Sequence, residues 1–312
     1  MIEERRSRVR ADRAWLSPPD PSTNHNCASS AQHERTAMWF FEGHVSKEWK
    51  SKSTTSFLWI HGKRAPFCSF VSSRTLIASN RDRFSGLGEE RPLVRHHYSS
   101  SPPELTLPTS SAVIQDIMVL QNAGMATVAY FYFDFRDTDK QNLHNALPSL
   151  LTQLSARSDS RCDILCHVHE AHNKGSYKPS TGAMITCLKD MLALPDQGPV
   201  YIILDAIDEC PNFSGIPSAR RQVLDFLKYL VGLQLPNLHI CVTSRPEIDI
   251  RTTLEPLASY PISIHDQNGQ KKDIEDYIRA VVYAKSDTAM GRWRDQDKKL
   301  VIKTLTERAD GM

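Results

Sequence analysis

The chain has 312 residues, 40% of them hydrophobic, and a formal net charge of +2. This size and balance are typical of a globular protein with one large α/β domain and part of another. Because the charges nearly cancel, the composition gives no support for a protein that binds nucleic acid or a membrane surface.

The cysteines and the apolar runs indicate the compartment. The seven cysteines are odd in number, and several fall in predicted strands or helices, which favours a reducing compartment over a disulfide framework. No apolar run reaches the roughly 18 residues that a membrane-spanning helix needs. The Arg-rich segment 1–13 has no apolar centre and does not resemble a secretory signal. We therefore expect a cytoplasmic protein.

The first third of the chain contains one recognisable strand. Residues 1–36 are polar and contain the run Ser17-Pro18-Pro19-Asp20-Pro21-Ser22, which predicts a helix end followed by a linker. Ser56–Ile60 is predicted to be a short buried strand that continues into His61-Gly62-Lys63. Residues 64–108 have no sustained helical or strand period, so we predict a loop or a disordered insertion there.

Helices and strands alternate in the next part of the chain. Predicted helices cover residues 111–123, 142–156, 180–192 and 218–233, and predicted strands cover 127–135, 199–205, 238–244 and 262–264. Such alternation predicts an α/β fold with a mostly parallel sheet of five strands and helices on both faces. Charged amphipathic helices are expected in 271–284 and 295–309.

Pro199–Cys210 is the most informative stretch, because a continuous apolar run ends there in Asp205, Asp208 and Glu209. An apolar run without alternation fits a strand that is buried on both faces of a parallel sheet. The three carboxylates would then lie at the carboxyl edge of the sheet, where open α/β sheets bind ligands. In phosphate-transfer proteins this edge holds Mg²⁺ and orients an attacking water. The plainer alternative is a solvated acidic turn after a buried strand.

Two segments carry a specific resemblance to a known family. Val200–Cys210 looks like the Walker B strand of the NACHT group of signal-transduction P-loop NTPases, including its acidic extension. Leu238–Pro246 is similar to the sensor strand of that group, which ends in Thr-Ser-Arg-Pro. Segments 39–41, 58–63, 129–136 and 147–151 resemble the nephrocystin-like N-terminal NACHT domains that are abundant in fungi. The resemblance implies a three-layer P-loop NTPase sandwich followed by a helical lid domain.

The resemblance also implies roles for individual residues. Asp205 would be the Mg²⁺-linked carboxylate, while Asp208 and Glu209 would polarise the attacking water. The residues that would sense the γ-phosphate are Thr243, Ser244 and Arg245. The alternative for these three is a strand end whose hydroxyls cap the following turn, with the arginine paired to an acid such as Asp208.

The chain departs from the family at the phosphate-binding loop. The family continues Gly-Lys into Pro-Gly-Ser-Gly-Lys-Ser, whose backbone N–H groups and lysine hold the phosphates. Here Gly62 and Lys63 are the candidate cofactor-binding residues, but Arg64-Ala65-Pro66-Phe67 follows them. Lys63 corresponds to the lysine before the loop and not to the phosphate lysine. Loss of three charge-assisted phosphate contacts removes at least about 4.5 kcal/mol, which is over three decades in affinity.

The predicted organisation has three parts. Residues 1–36 are a helix end and linker, residues 37–266 are the NTPase core interrupted at 64–108, and residues 267–312 begin a truncated helical lid domain. The resemblance implies a nucleotide switch for Mg-ATP or Mg-GTP with self-association or a signalling partner as its output. In this chain nucleotide binding and hydrolysis are predicted to be lost or severely weakened. The alternative is an interaction domain, a relic or a gene-model fragment that retains only the fold.

Overall fold

The computed structural model describes residues 14–31, 37, 40–41, 43–62, 108–195, 197–213, 215–264, 275–276, 278–279, 282–283 and 293–310. The chain divides into two compact units, residues 1–62 with 106–270, and residues 63–105 with 271–312. Lys63, nearly all of the predicted insertion and most of the predicted helix 271–284 lie outside the described residues. The described chain resumes with a helix at Pro108, so the predicted end of the insertion is one residue too late.

Five parallel strands form one sheet in the first unit, in the order β2-β3-β4-β1-β5. They are β1 (Ser56–His61), β2 (Thr127–Tyr132), β3 (Val200–Asp205), β4 (Leu238–Ser244) and β5 (Tyr260–Ser263). All four pairs of neighbouring strands are parallel. The predicted α/β class is confirmed, and the fold is compatible with a three-layer P-loop NTPase-type sandwich.

Helices cover both faces of this sheet. On one face lie α1 (Ser22–Ala31), α2 (His44–Ser51) and α3 (Pro108–Asn122). On the other lie α4 (Leu143–Ser155), α5 (Asp159–Ala171), α6 (Thr181–Leu192), α7 (Ala219–Gly232) and α8 (Ile248–Leu254). The second unit contains α9 (Asp295–Asp310), as predicted. Among the described helices, none has both the length and the apolar character that crossing a bilayer requires.

Alternate residues of each central strand belong to two separate apolar clusters. In β3, Ile202 and Leu204 pack with α4, α6 and α7, whereas Tyr201 and Ile203 pack with α2 and α3. Side chains in a strand point alternately to opposite faces. The continuous apolar run at Pro199–Asp205 is therefore explained by burial on both sides, as the sequence predicted.

The predicted strand 127–135 is too long, because β2 ends at Tyr132. The side chain of Asp134 accepts a hydrogen bond from the backbone N–H of Arg136 at 3.0 Å. Such a local bond to the backbone two residues ahead favours a turn over an extended strand. Phe135, the last residue of the predicted strand, is consequently 49% exposed.

The predicted linker is wrong for residues 22–31, which form α1. Trp15 is buried in the cluster around α4, and its indole Nε1–H donates to the carbonyl oxygen of Tyr177 at 3.1 Å. On the other face of the sheet, the side-chain amide of Gln115 in α3 donates to Ser29 of α1 at 2.8 Å. These contacts hold a polar segment that has little apolar periodicity of its own, so local pattern could not predict it.

Candidate functional site

The carboxyl ends of three neighbouring strands bring most of the predicted site residues to one edge of the sheet. Asp205 is the last residue of β3, and Thr243 and Ser244 are the last residues of β4. The backbone N–H of Gly62, directly after β1, donates to the carbonyl oxygen of Ser244 at 3.3 Å. Gly62 therefore lies at the same edge as the acids, whereas Lys63 lies outside the described residues.

Asp205 is buried at this edge and is 1% exposed. Its Oδ1 accepts a hydrogen bond from the hydroxyl of Thr243, which itself accepts from the backbone N–H of Ala206 at 2.9 Å. Burial raises the pKa of Asp205 to about 6, against the opposing effect of the hydroxyls of Thr243 and Ser110. Its Oδ2 is buried and has no hydrogen bond of normal geometry within the described part of the chain.

The first turn of α3 also approaches this carboxylate. Ser110 is fully buried, and its hydroxyl lowers the pKa of both Asp205 and Tyr132. For Tyr132, burial and the charge of Asp205 outweigh this effect and raise the pKa. The N–H groups in the first turn of a helix favour negative charge. Gly62 and Ser110, which flank the segment that replaces the phosphate loop, therefore both reach the edge that contains Asp205.

Asp208 is buried and bound to Arg245. The backbone N–H of Arg245 donates to Oδ1 at 3.0 Å, and its Nε donates to Oδ2 at 2.5 Å. The alternative interpretation of the sensor residues named this pair. It expected the hydroxyls to cap the turn after their own strand, whereas the hydroxyl of Thr243 accepts from the backbone N–H of Ala206 in the turn after β3. Each carboxylate oxygen of Asp208 accepts one hydrogen bond from Arg245.

A left-handed residue makes the tight turn after β3. Ala206 has φ 55° and ψ 48°, and the 3₁₀ turn Ile207–Glu209 follows directly. Oε2 of Glu209 accepts from the backbone N–H of Phe135 at 3.0 Å. Burial raises the pKa of Glu209 to about 7 against that hydrogen bond. A carboxyl group with a pKa near neutrality is suited to proton transfer.

Arg220 of α7 is a site residue that the sequence did not single out. Its guanidinium is buried and donates to the carbonyl oxygens of Cys210 at 3.0 Å and of Asp208 at 2.5 Å. The same group forms an ion pair with Glu247 and lies 3.6 Å from Asp249. Arg220 thus ties the turn after β3 to the segment after β4.

A helical period in the sequence could have identified Arg220. The residue precedes Val223, Leu224 and Leu227 at spacings of three, four and seven, which lie on one helix face. All three are buried, whereas the side chain of the adjacent Arg221 is 54% exposed.

Comparison with known proteins identifies the middle of the chain. Residues 109–245 match the family model of the nephrocystin 3 N-terminal domain. This region is nephrocystin-like. A comparison with curated proteins found no match. The nephrocystin-like region begins in α3 and ends at Arg245, so it includes all the predicted site residues except Gly62 and Lys63.

Asp134 lies beside Glu209 in the nephrocystin-like region, and the sequence did not single it out either. Arg136 donates from Nε to Oδ1 and from Nη2 to Oδ2 at 2.9 Å each, and Asn24 of α1 donates to Oδ2 at 3.0 Å. Although burial opposes it, the hydrogen bonds from Arg136 lower the pKa of Asp134. This carboxylate anchors the loop whose next residue, Phe135, binds Glu209.

The residues at this edge of the nephrocystin-like region could supply part of the coordination of a Mg²⁺ ion, with phosphates and waters supplying the rest. Within the described ranges there is no group of three His, Cys, Asp or Glu side chains that could hold a metal ion. Mg²⁺ is usually held by one or two carboxylates, waters and substrate phosphates instead of a full protein cage. The unpartnered Oδ2 of Asp205 is a buried acceptor of the type that such an ion, or a water bound to it, would satisfy. The ion would supply neutralisation of phosphate charge.

Proposed function

We propose that the nephrocystin-like domain is a signalling domain of the nucleotide-switch type that retains the magnesium half of its site and holds a triphosphate weakly. The observation that carries this proposal is the unpartnered Oδ2 of Asp205, on a buried carboxylate beside Ser110 and Thr243. A buried acceptor without a partner destabilises a fold. A metal ion, or a water bound to it, at the edge would satisfy this acceptor.

We attribute the proposed weak binding of the triphosphate to the missing phosphate-binding loop. Gly62 and Ser110 reach the edge, but the sequence between them contains no GxxxxGK[ST] loop. With three charge-assisted contacts missing, at least about 4.5 kcal/mol of binding free energy is absent. A complete site that binds Mg-ATP or Mg-GTP at micromolar concentration would fall to the millimolar range.

The proposed switch is an exchange of partners at Arg245. A terminal phosphate at the edge would compete with Asp208 for the guanidinium, which is partly exposed. Separation of the pair would free Asp208 and the 3₁₀ turn at 207–209. A ligand shifts a conformational equilibrium only through such differential contacts. Self-association or contact with a signalling partner is the proposed output.

A second candidate function is an interaction domain that has no nucleotide site. The internal pairing of the acids favours it, because Asp208, Asp134 and Glu209 all accept hydrogen bonds from protein donors. In that case Asp205 would be a protonated or water-bound core residue, and no ligand would be required.

Melting experiments distinguish the two candidates. At a concentration equal to its Kd, Mg-ATP or Mg-GTP would stabilise the unaltered chain by about 0.4 kcal/mol, which raises Tm by roughly 1–2 °C. Replacing residues 64–108 with Pro-Gly-Ser-Gly-Lys-Ser should restore tight binding. A thousandfold excess over Kd then gives about 4 kcal/mol, or roughly 10 °C.

The matched control is the replaced chain carrying Asp205→Asn, which should lose the magnesium dependence of the shift. A replaced chain that folds, as judged by circular dichroism, and still shows no shift would contradict the nucleotide site. A shift of many degrees in the unaltered chain would contradict the weak phosphate half.

A further inference from the structure

Within the described residues, side chains and not another strand complete the hydrogen bonding at the outer edge of β2. This strand is first in the sheet order and has a strand neighbour on one side. Its ladder with β3 uses alternate residues, with Thr127 N–H donating to Pro199 at 2.9 Å and Phe133 N–H donating to Asp205 at 3.0 Å. The backbone groups of the intervening Val128 and Tyr130 therefore point away from β3.

Two glutamine side chains form hydrogen bonds with those outward-pointing backbone groups. Oε1 of Gln153 accepts from the N–H of Tyr130 at 3.1 Å, and its Nε2 donates to the carbonyl oxygen of Tyr130 at 2.8 Å. Oε1 of Gln121 accepts from the N–H of Val128 at 2.9 Å. A single amide thus makes with Tyr130 the donor and acceptor pair that a neighbouring strand would make.

The glutamines reach this edge from opposite sides of the sheet. Gln153 belongs to α4, whose leucines pack in one apolar cluster, while Gln121 lies near the end of α3, whose isoleucines pack in the other. Both amides are therefore positioned by helices that the core holds in place. The resulting closure of the edge depends on two independent elements.

The protected strand has the composition of an aggregation-prone edge. Thr127–Phe133 is rich in β-branched and aromatic residues and contains no charge, Pro or Gly. The opposite edge strand, β5, has four residues and contains Pro261, two common devices against strand addition. Because β2 has neither device, we infer that the side-chain amides of Gln121 and Gln153 protect its edge instead.

We propose that the outer edge of β2 is a masked strand-addition surface for a second copy of this chain, held closed by Gln121 and Gln153. When both amides are removed, the N–H groups of Val128 and Tyr130 and the carbonyl of Tyr130 become available. Two β2 edges can then pair antiparallel about a two-fold axis. Such an edge is complementary to itself, which makes a second copy the occupant.

Hydrogen exchange tests the closure in the full chain. Gln121→Ala with Gln153→Ala should raise the exchange of the Val128 and Tyr130 amides by about tenfold or more, while the amides of Thr127 and Phe133 that donate to Pro199 and Asp205, and the amides of β3 and β4, stay protected. The matched control is Gln222→Ala with Gln234→Ala, since these exposed glutamines donate only to nearby backbone carbonyls. Unchanged exchange at the Val128 and Tyr130 amides, or an equal rise in β3 and β4, would overturn the proposal.

Light scattering after size exclusion tests the occupant. The double alanine variant should show a mass that rises toward the dimer with concentration, relative to the wild type and the glutamine control. Combining Gln121→Ala with Gln153→Glu should free the Val128 N–H to exchange, while the carboxylate can still accept from the Tyr130 N–H. It should nevertheless prevent the dimer, because two carboxylates would meet across the two-fold axis. A dimer in both variants, or in neither, would overturn the proposed surface.

Discussion

Arg245 is bound to Asp208 through both its backbone and its side chain, at 3.0 Å from N to Oδ1 and 2.5 Å from Nε to Oδ2. Since Asp208 follows β3 and Arg245 follows β4, this one pair joins the ends of two neighbouring strands. The side chain of Asp208 is 7% exposed and that of Arg245 is 40% exposed. A ligand at the edge can therefore approach the pair from the arginine side.

Removal of the Arg245 side chain should destabilise the domain, because Asp208 would keep only a backbone donor. A lost hydrogen bond to a charged group costs about 1.5–3 kcal/mol, and the partial exposure of Arg245 favours the lower end. Urea denaturation of Arg245→Ala at pH 7 measures this. The control is Arg251→Ala, which breaks an exposed ion pair with Glu255 and should cost below about 0.5 kcal/mol. Equal losses would contradict the prediction.

Two adjacent arginines of α7 should respond very differently to substitution. Arg220→Ala removes the donor to the carbonyl oxygens of Asp208 and Cys210 and breaks the ion pair with Glu247, which would keep only the guanidinium of Arg245 at 3.9 Å. We expect a loss of about 3–4 kcal/mol in the free energy of unfolding. Arg221→Ala removes an exposed ion pair with Asp225 and should cost about 0.5 kcal/mol or less. Similar denaturation midpoints for the two variants would show that Arg220 does not hold the turn.

The burial of Asp205 should make its effect on stability depend on pH. Its native pKa of about 6 lies above the value of about 3.9 for an unfolded chain. The native state thus holds the proton more tightly, so the stabilisation is present below about pH 4 and is lost as the pH rises through about 6.

Asp205→Asn removes the charge and keeps an acceptor for Thr243. At pH 8 the variant should exceed the wild type in stability by up to about 2–3 kcal/mol. At pH 4 the advantage should vanish. Urea denaturation of both proteins across this range measures the difference, in which other titrating groups cancel. A difference that does not change with pH would be inconsistent with a buried charge at Asp205.

Glycine should be well tolerated at the left-handed residue after β3. Ala206 has φ 55°, a conformation that costs an L-residue about 1 kcal/mol relative to glycine. The greater freedom of an unfolded glycine offsets part of that gain. Thermal denaturation of Ala206→Gly should therefore show unchanged or slightly higher stability. Ala146→Gly, inside α4, should instead lose about 1 kcal/mol. A comparable loss at position 206 would contradict the interpretation of the turn.

Local pattern was sufficient for the three central strands of the sheet, β1, β3 and β4. The runs at Ser56–Ile60, 200–205 and 238–244 lie in observed strands, because burial on both faces leaves an uninterrupted apolar segment in the sequence. The start of a helix could also be predicted from neighbouring residues. The hydroxyl of Ser180 accepts a hydrogen bond from the backbone N–H of Ala183 at 3.2 Å, as expected of an N-cap. Pro148 lies inside α4 among buried leucines, whose packing outweighs the one missing backbone hydrogen bond.

By itself, the sequence determined the α/β class, the strands and the clustering of acids after β3, because hydrophobic periodicity and strand ends are properties of neighbouring residues. Only the tertiary structure decided the partners of those acids. The strand order places β4 beside β3, which brings Arg245 to Asp208 and the hydroxyl of Thr243 to Asp205. Charge pairing and burial depend on which distant segments become neighbours, and the local sequence pattern does not specify the order of the strands.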